Sequence, residues 1–292
     1  MVREPAENLE GGRRRLGAEL RRLRDLSGLS GRDLAQRLNI SQSKVSRIES
    51  GAAVPTLPEV RKWAEEVNAS EETAELLSAL TDTAHTDVRS WKAELVDQPH
   101  LQGDVREAER AARRIFAFQS SVVPGLLQTA EYARRVFSMF QVPYTKEQAA
   151  AALAGRLDRQ LILYDEGRSF HFLITEAALR WRPTGAAAIM AAQLDRISTL
   201  STLSNVSIGV LPLDGEAGVP FSHAFTLFES ADDETGEFVS IETVHANITA
   251  HRPSDVELYR SRWAMYREAA LVEDDARRFL TGLVAQFQKE GR

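Results

Sequence analysis

The 292-residue sequence contains no cysteine. That excludes disulfide staples, thiol nucleophiles and cysteine-ligated zinc together, and it fits a chain kept in a reducing compartment. No apolar run approaches the roughly 20 residues that a membrane helix needs. The opening stretch MVREPAENLEGGRRR carries charges where a signal peptide would have its apolar segment. A cytoplasmic chain, neither secreted nor embedded, is the expectation. The signatures H-E-x-x-H, Walker loop, G-x-S-x-G and G-x-G-x-x-G are missing as well. We therefore expect no enzyme, no catalytic residue, no metal and no cofactor. An excess of positive charge is lacking too: the formal net charge is −6, which taken alone argues against a polyanionic partner.

The average hides an asymmetry. Residues 1–62 carry 13 Lys/Arg against 8 Asp/Glu, a balance of +5 that leaves −11 for the remainder. A basic head on an acidic body suits a modular chain whose head alone meets a polyanion. With 43% hydrophobic and 27% charged residues, the chain is globular and long enough for two cores.

Within the head, Leu16, Leu20, Leu23 and Leu26 recur every three or four residues from Arg14 onward, giving a helix with one buried stripe that stops at Gly28. Ser30 stands three residues before Asp33, a capping-box start for a short helix with Leu34, Ala35 and Leu38 inward. Asn39 sits at a turn and tolerates the left-handed conformation. Ser41 caps a third helix, in which Val45 and Ile48 point inward and Gly51 ends the run. Gln42, Ser43, Lys44, Ser46 and Arg47 are left facing outward. An ordinary solvated helix would carry Glu/Lys pairs four residues apart. This face instead offers an amide, small hydroxyls and two cations, with Gln42 and Arg47 suited to base edges in the major groove and serine and lysine suited to phosphates.

The run LGAELRRLRDLSGLSGRDLAQRLNISQSKVSRIESGAAVPTLPEVRKWAEEV resembles the XRE family of lambda-repressor-like helix-turn-helix regulators over about residues 14–68. The resemblance implies that the third helix enters the major groove, with Gln42, Ser43, Lys44, Ser46 and Arg47 facing DNA. It also implies that Arg24 and Glu49 form an internal ion pair bracing the first helix against the third. Two positions depart from the pattern. Gly31 stands where many relatives have a phosphate-contacting Gln, so Ser30 or Arg32 takes that role, and Asn39 stands where many have Gly.

Thr56 and Pro58 start a fourth helix with Val60, Trp63, Ala64 and Val67 inward. Ser70 caps a fifth, expected to run through EETAELLSALTDTAHTDVRSWKAELV with Leu76, Leu77, Leu80, Ala84 and Trp91 in near-helical spacing. It either pairs with its copy in a second subunit or serves as a rigid arm. Pro99 and Gly103 mark a boundary near residue 100. The expected domains are 1–69 for the helix-turn-helix, 70–100 for a helical connector and 101–292 for the remainder.

That remainder mixes strands and helices. Ile115 to Val123 is rich in β-formers, Pro124 and Gly125 break it, and Thr129 caps a helix with Tyr132, Val136 and Phe137. A helix from Lys146 to Leu163 follows, then SFHFLIT as a strand, EAALRW and AAAIMAAQLDRISTLST as helices, and VSIGVLPL as a strand. FSHAFTLFES and EFVSIETVH are expected to be neighbouring strands joined by the acidic turn ADDETG. Two helices close the chain, with Phe279, Leu280, Leu283, Val284 and Phe287 lining the second. The fold class is thus an all-α N-terminal domain of about five helices plus an α+β domain with a largely antiparallel sheet flanked by helices. Glu242, His245 and His251 are the nearest approach to a metal or catalytic set, but their spacing does not bring them together locally. LPLDGEAGVPFSH is a surface loop with three proline or glycine breaks.

The motifs VVPGLLQTAEYARRV, Arg159–Gln160, ITEAALRW, QLDRISTLSTLSNVSIGVLP and AFTLFE are similar to the uncharacterised domain that follows an XRE helix-turn-helix in actinobacterial regulators of the WhiJ-like and antitoxin-like group, over about residues 100–285. This resemblance implies transcriptional regulation together with a small protein encoded nearby, and supplies no catalytic residues. Apart from it, PGLLQT is a junction between strand and helix, with Leu126 and Leu127 as anchors and Gln128 and Thr129 as a cap. The expected protein is a homodimeric regulator that binds double-stranded DNA at an inverted repeat and lies at the nucleoid when bound. The alternatives are an antitoxin-like interaction protein that autoregulates its own operon, or a ligand-sensing or catalytic C-terminal domain.

Overall fold

A computed structural model describes residues 10–91, 102–139, 145–183, 187–214, 220–230 and 236–290. The described residues divide into two compact units, one of residues 10–90, 236 and 246–252 and one of the rest.

The first unit is built on five helices: α1 (Glu10–Leu26), α2 (Gly31–Leu38), α3 (Gln42–Glu49), α4 (Leu57–Glu66) and α5 (Glu71–Ala84). Their ends are fixed by local hydrogen bonds. Ser30 and Asp33 form a reciprocal capping box, as do Thr56 and Glu59, and the Ser41 hydroxyl accepts from Lys44 N–H. Asn39 sits in the left-handed region at φ 57°, ψ 45° and closes α2. Leu16, Leu20, Leu34, Val45, Ile48, Trp63 and Leu77 lie in one core. A Cβ on Gly17 would stand 2.5 Å from the Ile48 carbonyl oxygen and 2.8 Å from that of Glu49, so only glycine lets α1 cross the end of α3 this closely.

Two expectations fail in this unit. Leu26 belongs to the sequence stripe of α1 but is 71% exposed, because the helix ends there and the chain turns away through Gly28 at φ +76°. The fifth helix stops at Ala84, and the strand β1 (Thr86–Ser90) follows. It pairs antiparallel with β7 (Ala246–Ala250), Val88 opposite Ile248. The β-branched Thr86 and Val88 suit a strand, and the strand that secures them lies far away in sequence, invisible to a local pattern. Trp91 accordingly belongs to the second unit.

The second unit has a five-stranded sheet ordered β6-β5-β2-β3-β4, from β2 (Ala112–Gln119), β3 (Ser169–Thr175), β4 (Val206–Leu211), β5 (Phe225–Ser230) and β6 (Glu237–Glu242). β6-β5-β2 is antiparallel and β2-β3-β4 parallel. With the β1–β7 pair, the seven described strands are mostly antiparallel. Parallel neighbours need long crossovers. One is made by α7 (Ala130–Ser138) and α8 (Lys146–Arg159), the other by α9 (Glu176–Arg180) and α10 (Ala187–Leu200). α6 (Gln102–Ala111) precedes β2, and α11 (Pro253–Glu268) and α12 (Glu273–Glu290) end the unit.

The two sheet faces follow from strand alternation. Ile115, Ala117, Phe172, Ile208 and Phe228 join a core with Tyr132 of α7, Leu194 of α10 and Leu280, Leu283 and Phe287 of α12. On the reverse face Phe116 meets Trp263 of α11 at 5.5 Å between ring centres, and Phe118 meets Tyr266 at 4.5 Å. The helix expected to reach Leu163 is α-helical only to Arg159 and continues as a 3-10 turn from Gln160 to Tyr164. Pro99, the tip of ADDETG and the middle of LPLDGEAGVPFSH lie outside the described residues.

Candidate nucleic-acid interface

The first unit presents the outward side chains of α3 on a helix held from behind. Val45 and Ile48 are each 1% exposed. Gln42, Ser43 and Ser46 are exposed, and Lys44 and Arg47 are half-buried. Gly31 lies against Gln42, with 4.0 Å from a built Cβ to the Gln42 Nε2 atom, which brings the start of α2 beside the start of α3. Arg32 is exposed and forms no hydrogen bond or ion pair among the described residues. The Ser30 hydroxyl is committed to its cap, donating to Asp33 Oδ2 at 2.6 Å and accepting from Asp33 N–H at 3.1 Å.

Arg24 and Glu49 form a bidentate pair, with Nε to Oε1 at 2.5 Å and Nη2 to Oε2 at 3.0 Å. Arg24 Nη1 also donates to the Leu29 carbonyl at 2.9 Å. The side chains are 11% and 10% exposed. The hydrogen bonds to Glu49 hold the guanidinium above its ordinary pKa against the cost of burial. Their role is bracing, since the pair ties α1 and the α2 turn to the end of α3.

Lys44 has a partner that the sequence reading missed. Its Nζ donates to Glu59 Oε1 at 2.6 Å, while Glu59 Oε2 accepts from Thr56 N–H at 2.9 Å. Burial by itself raises the Glu59 carboxyl, but the hydrogen bonds from Lys44 and Thr56 outweigh it and leave the pKa lowered. The visible signal was Glu59 at the third position of α4, a capping-box carboxylate with one oxygen to spare. The Lys44 ammonium uses one of its three N–H donors on this carboxylate and has two left to offer a phosphate.

In the second unit the PGLLQT segment is a packed junction. The Gln128 side chain donates to the Val123 carbonyl at 2.7 Å and accepts from Arg156 at 2.8 Å. Gln160 donates to the Gln128 carbonyl at 2.7 Å, and Gln193 bonds both the Leu127 carbonyl and Thr129 N–H. Thr129 caps α7. Burial pushes the Tyr132 hydroxyl up to about 12, opposed by the hydrogen bond it accepts from Val123 N–H. Arg159 forms a bidentate pair with Glu109 at 2.8 and 2.5 Å, the side chains 7% and 6% exposed. Glu242 and His245 are exposed, and His245 stands beyond the end of β6 rather than on it. No group of three or more His, Asp or Glu among the described residues is arranged to hold a metal, and no described helix is long and apolar enough to cross a membrane.

A helix-turn-helix family model matches residues 15–77, and with this geometry it defines the class as a helix-turn-helix DNA-binding regulator. A second model, described as "Domain of unknown function (DUF5753)", matches residues 102–282. The chain belongs to that family. No curated protein matches it. Among solved structures it is similar to an archaeal chromatin protein, TrmBL2, described as showing a novel mode of DNA binding. The identity is 13% and the TM-score 0.31, over 72% of this chain and 65% of the other, so the chain spans less than two thirds of that protein. It is also similar to Nuc, a phospholipase D family member from Salmonella typhimurium, at 12% identity and TM-score 0.26, over 58% of this chain and 88% of the other. Neither likeness is close enough to carry an argument about fold or function.

Proposed function

We propose that the chain is a sequence-specific transcriptional regulator of XRE type that binds an inverted-repeat operator as a homodimer, with α3 of each subunit in the major groove. The observation that carries this is the face of α3: an amide, hydroxyls and two cations outside, two fully buried anchors inside, and the Arg24–Glu49 pair behind. Gln42 and Arg47 read base edges, while Ser43, Lys44, Ser46 and Arg32 meet the backbone. Ser30 serves mainly as a cap. Pairing is favoured because one small reading head touches few bases, and two linked heads gain effective concentration. In this reading the chain acts by binding alone, without catalysis, in the cytoplasm and at the nucleoid, and its second domain receives the controlling signal.

The test is binding to sites selected from random DNA. Arg47→Ala is expected to cost about 1–3 kcal/mol and to relax one position per half-site. Lys44→Ala is expected to weaken all sequences alike and to flatten the salt slope by about one. Unchanged affinity and site preference in Arg47→Ala, with an unchanged slope in Lys44→Ala, would sink the proposal.

An antitoxin-like variant, in which a small protein encoded nearby occupies the second domain, is favoured by one observation. Leu157, Leu161 and Tyr164 are 37%, 65% and 55% exposed at the end of α8 and its 3-10 turn. Recovery of a stoichiometric small partner from native lysate supports it, and a solitary dimer opposes it.

A further inference from the structure

The second unit contains a cleft that DNA recognition does not use. Two adjoining cavities of about 240 and 410 Å³ lie over the β2–β5–β6 part of the sheet and share Trp91, Val105, Gln119, Thr226, Phe228 and Glu242 in their walls. The combined space is of the size that takes a small organic molecule. Its body is apolar and aromatic. Trp91 is fixed at the rim, its indole N–H donating to the Thr243 carbonyl at 2.9 Å and its backbone N–H to the His245 carbonyl at 3.0 Å.

Charge decides what would fill it. In the smaller cavity Arg159 and Glu109 satisfy each other. Arg156 there donates to Gln128 and lies over the Phe137 ring, 4.7 Å from its centre. In the larger cavity Glu242 is the sole charged side chain among the described lining residues, and it forms no hydrogen bond or ion pair among the described residues. The side chains of Gln119, Ser121 and Thr226 on the same walls are likewise without hydrogen bonds there. The cleft therefore offers an unmatched carboxylate, hydrogen-bonding groups beside it, and aromatic faces that attract a cation.

We infer that this cleft binds a small cationic amphiphile, its ammonium group at Glu242 and its aromatic or aliphatic body against Trp91 and Phe228. The inference is independent of DNA binding, because it is read on the protein alone. Three probes share one body and differ in charge: phenylpropylamine, phenylpropanol and phenylpropanoate. Titrated calorimetrically into the full chain at neutral pH, the amine is expected to bind at least about tenfold tighter than the alcohol, with the carboxylate weakest. Glu242→Gln, a change at an exposed position, is expected to weaken the amine about tenfold and leave the alcohol unchanged. Thr226→Leu, which fills the floor, is expected to weaken both. Equal affinity for all three, a preference for the carboxylate, an amine preference that survives in Glu242→Gln, or no amine binding at millimolar concentration would each overturn the inference.

Discussion

Each unit is stitched by a bidentate arginine–glutamate pair, Arg24–Glu49 in the first and Arg159–Glu109 in the second. The first joins residues 25 apart and the second residues 50 apart. Arg24–Glu49 links two helices that a local pattern already delimits, and it lies inside a motif recognisable as a whole. Arg159–Glu109 links α8 to a helix ahead of the sheet, across a fold whose strand order no local pattern fixes. Similar chemistry is therefore a legible brace in one unit and a tertiary discovery in the other.

Breaking the braces gives the largest expected effects. Glu109→Ala removes the carboxylate that pairs with the buried Arg159 guanidinium and is expected to cost about 3–5 kcal/mol in the second unit. Glu49→Ala should cost the first unit less, because its pair is the more exposed of the two, at 11% and 10% against 7% and 6%, and Arg24 keeps the Leu29 carbonyl and Asp25. Urea unfolding followed separately for the two units checks the ranking, and equal losses would remove the distinction.

Glycine sharpens the comparison with one substitution of opposite sign. Gly17→Ala drives a Cβ into two backbone carbonyls, and is expected to destabilise the first unit by about 2 kcal/mol. Gly282→Ala, in an exposed part of α12 with nothing within 4 Å, is expected to stabilise the second by about 0.5–1 kcal/mol. Melting curves of the two variants decide it.

The third contrast is pH. His251 of the first unit is lowered to about 3 by burial and by the charges of Arg13, His85 and Arg89. His85 is lowered by burial and by Arg252 and Arg13, against Asp82. Folded imidazoles that stay neutral below the unfolded value of 6.5 contribute stability above that pH and lose it as the pH falls. The first unit is expected to weaken below about pH 6.5, by at most about 1.4 kcal/mol per pH unit for each histidine. His251→Gln should flatten that slope. A first unit whose stability is level from pH 7 to 5 would contradict the assignment.

Much of the first unit was legible because its signals are short-range. Ser30, Ser41 and Thr56 announce helix starts three residues ahead, and Val45 and Ile48 mark the buried side of α3. The stripe misled at Leu26, where periodicity continues but the covering core ends. In the second unit most elements were readable one by one, whereas α6 ahead of β2 and the parallel order β2-β3-β4 were not. The candidate site divides in the same way: the outward residues of α3 were read from spacing, whereas the Lys44–Glu59 pair required α3 and α4 to be placed together.

The sequence alone determined the first four helices, the caps of α2, α3 and α4, the basic head and the chemistry of the face that α3 presents, because hydrogen bonds and periodicity within a few residues specify them. Only the tertiary structure decided that the chain after Ala84 becomes a strand, that Glu59 takes Lys44, and that Glu109 takes Arg159. It alone decided that Glu242 lines a cleft while forming no ion pair with any described cation. The physical reason is distance along the chain: the β7 strand that holds β1, and the Thr243 carbonyl 152 residues from Trp91 that fixes the rim of the cleft, exert their energy only once folding has brought them together.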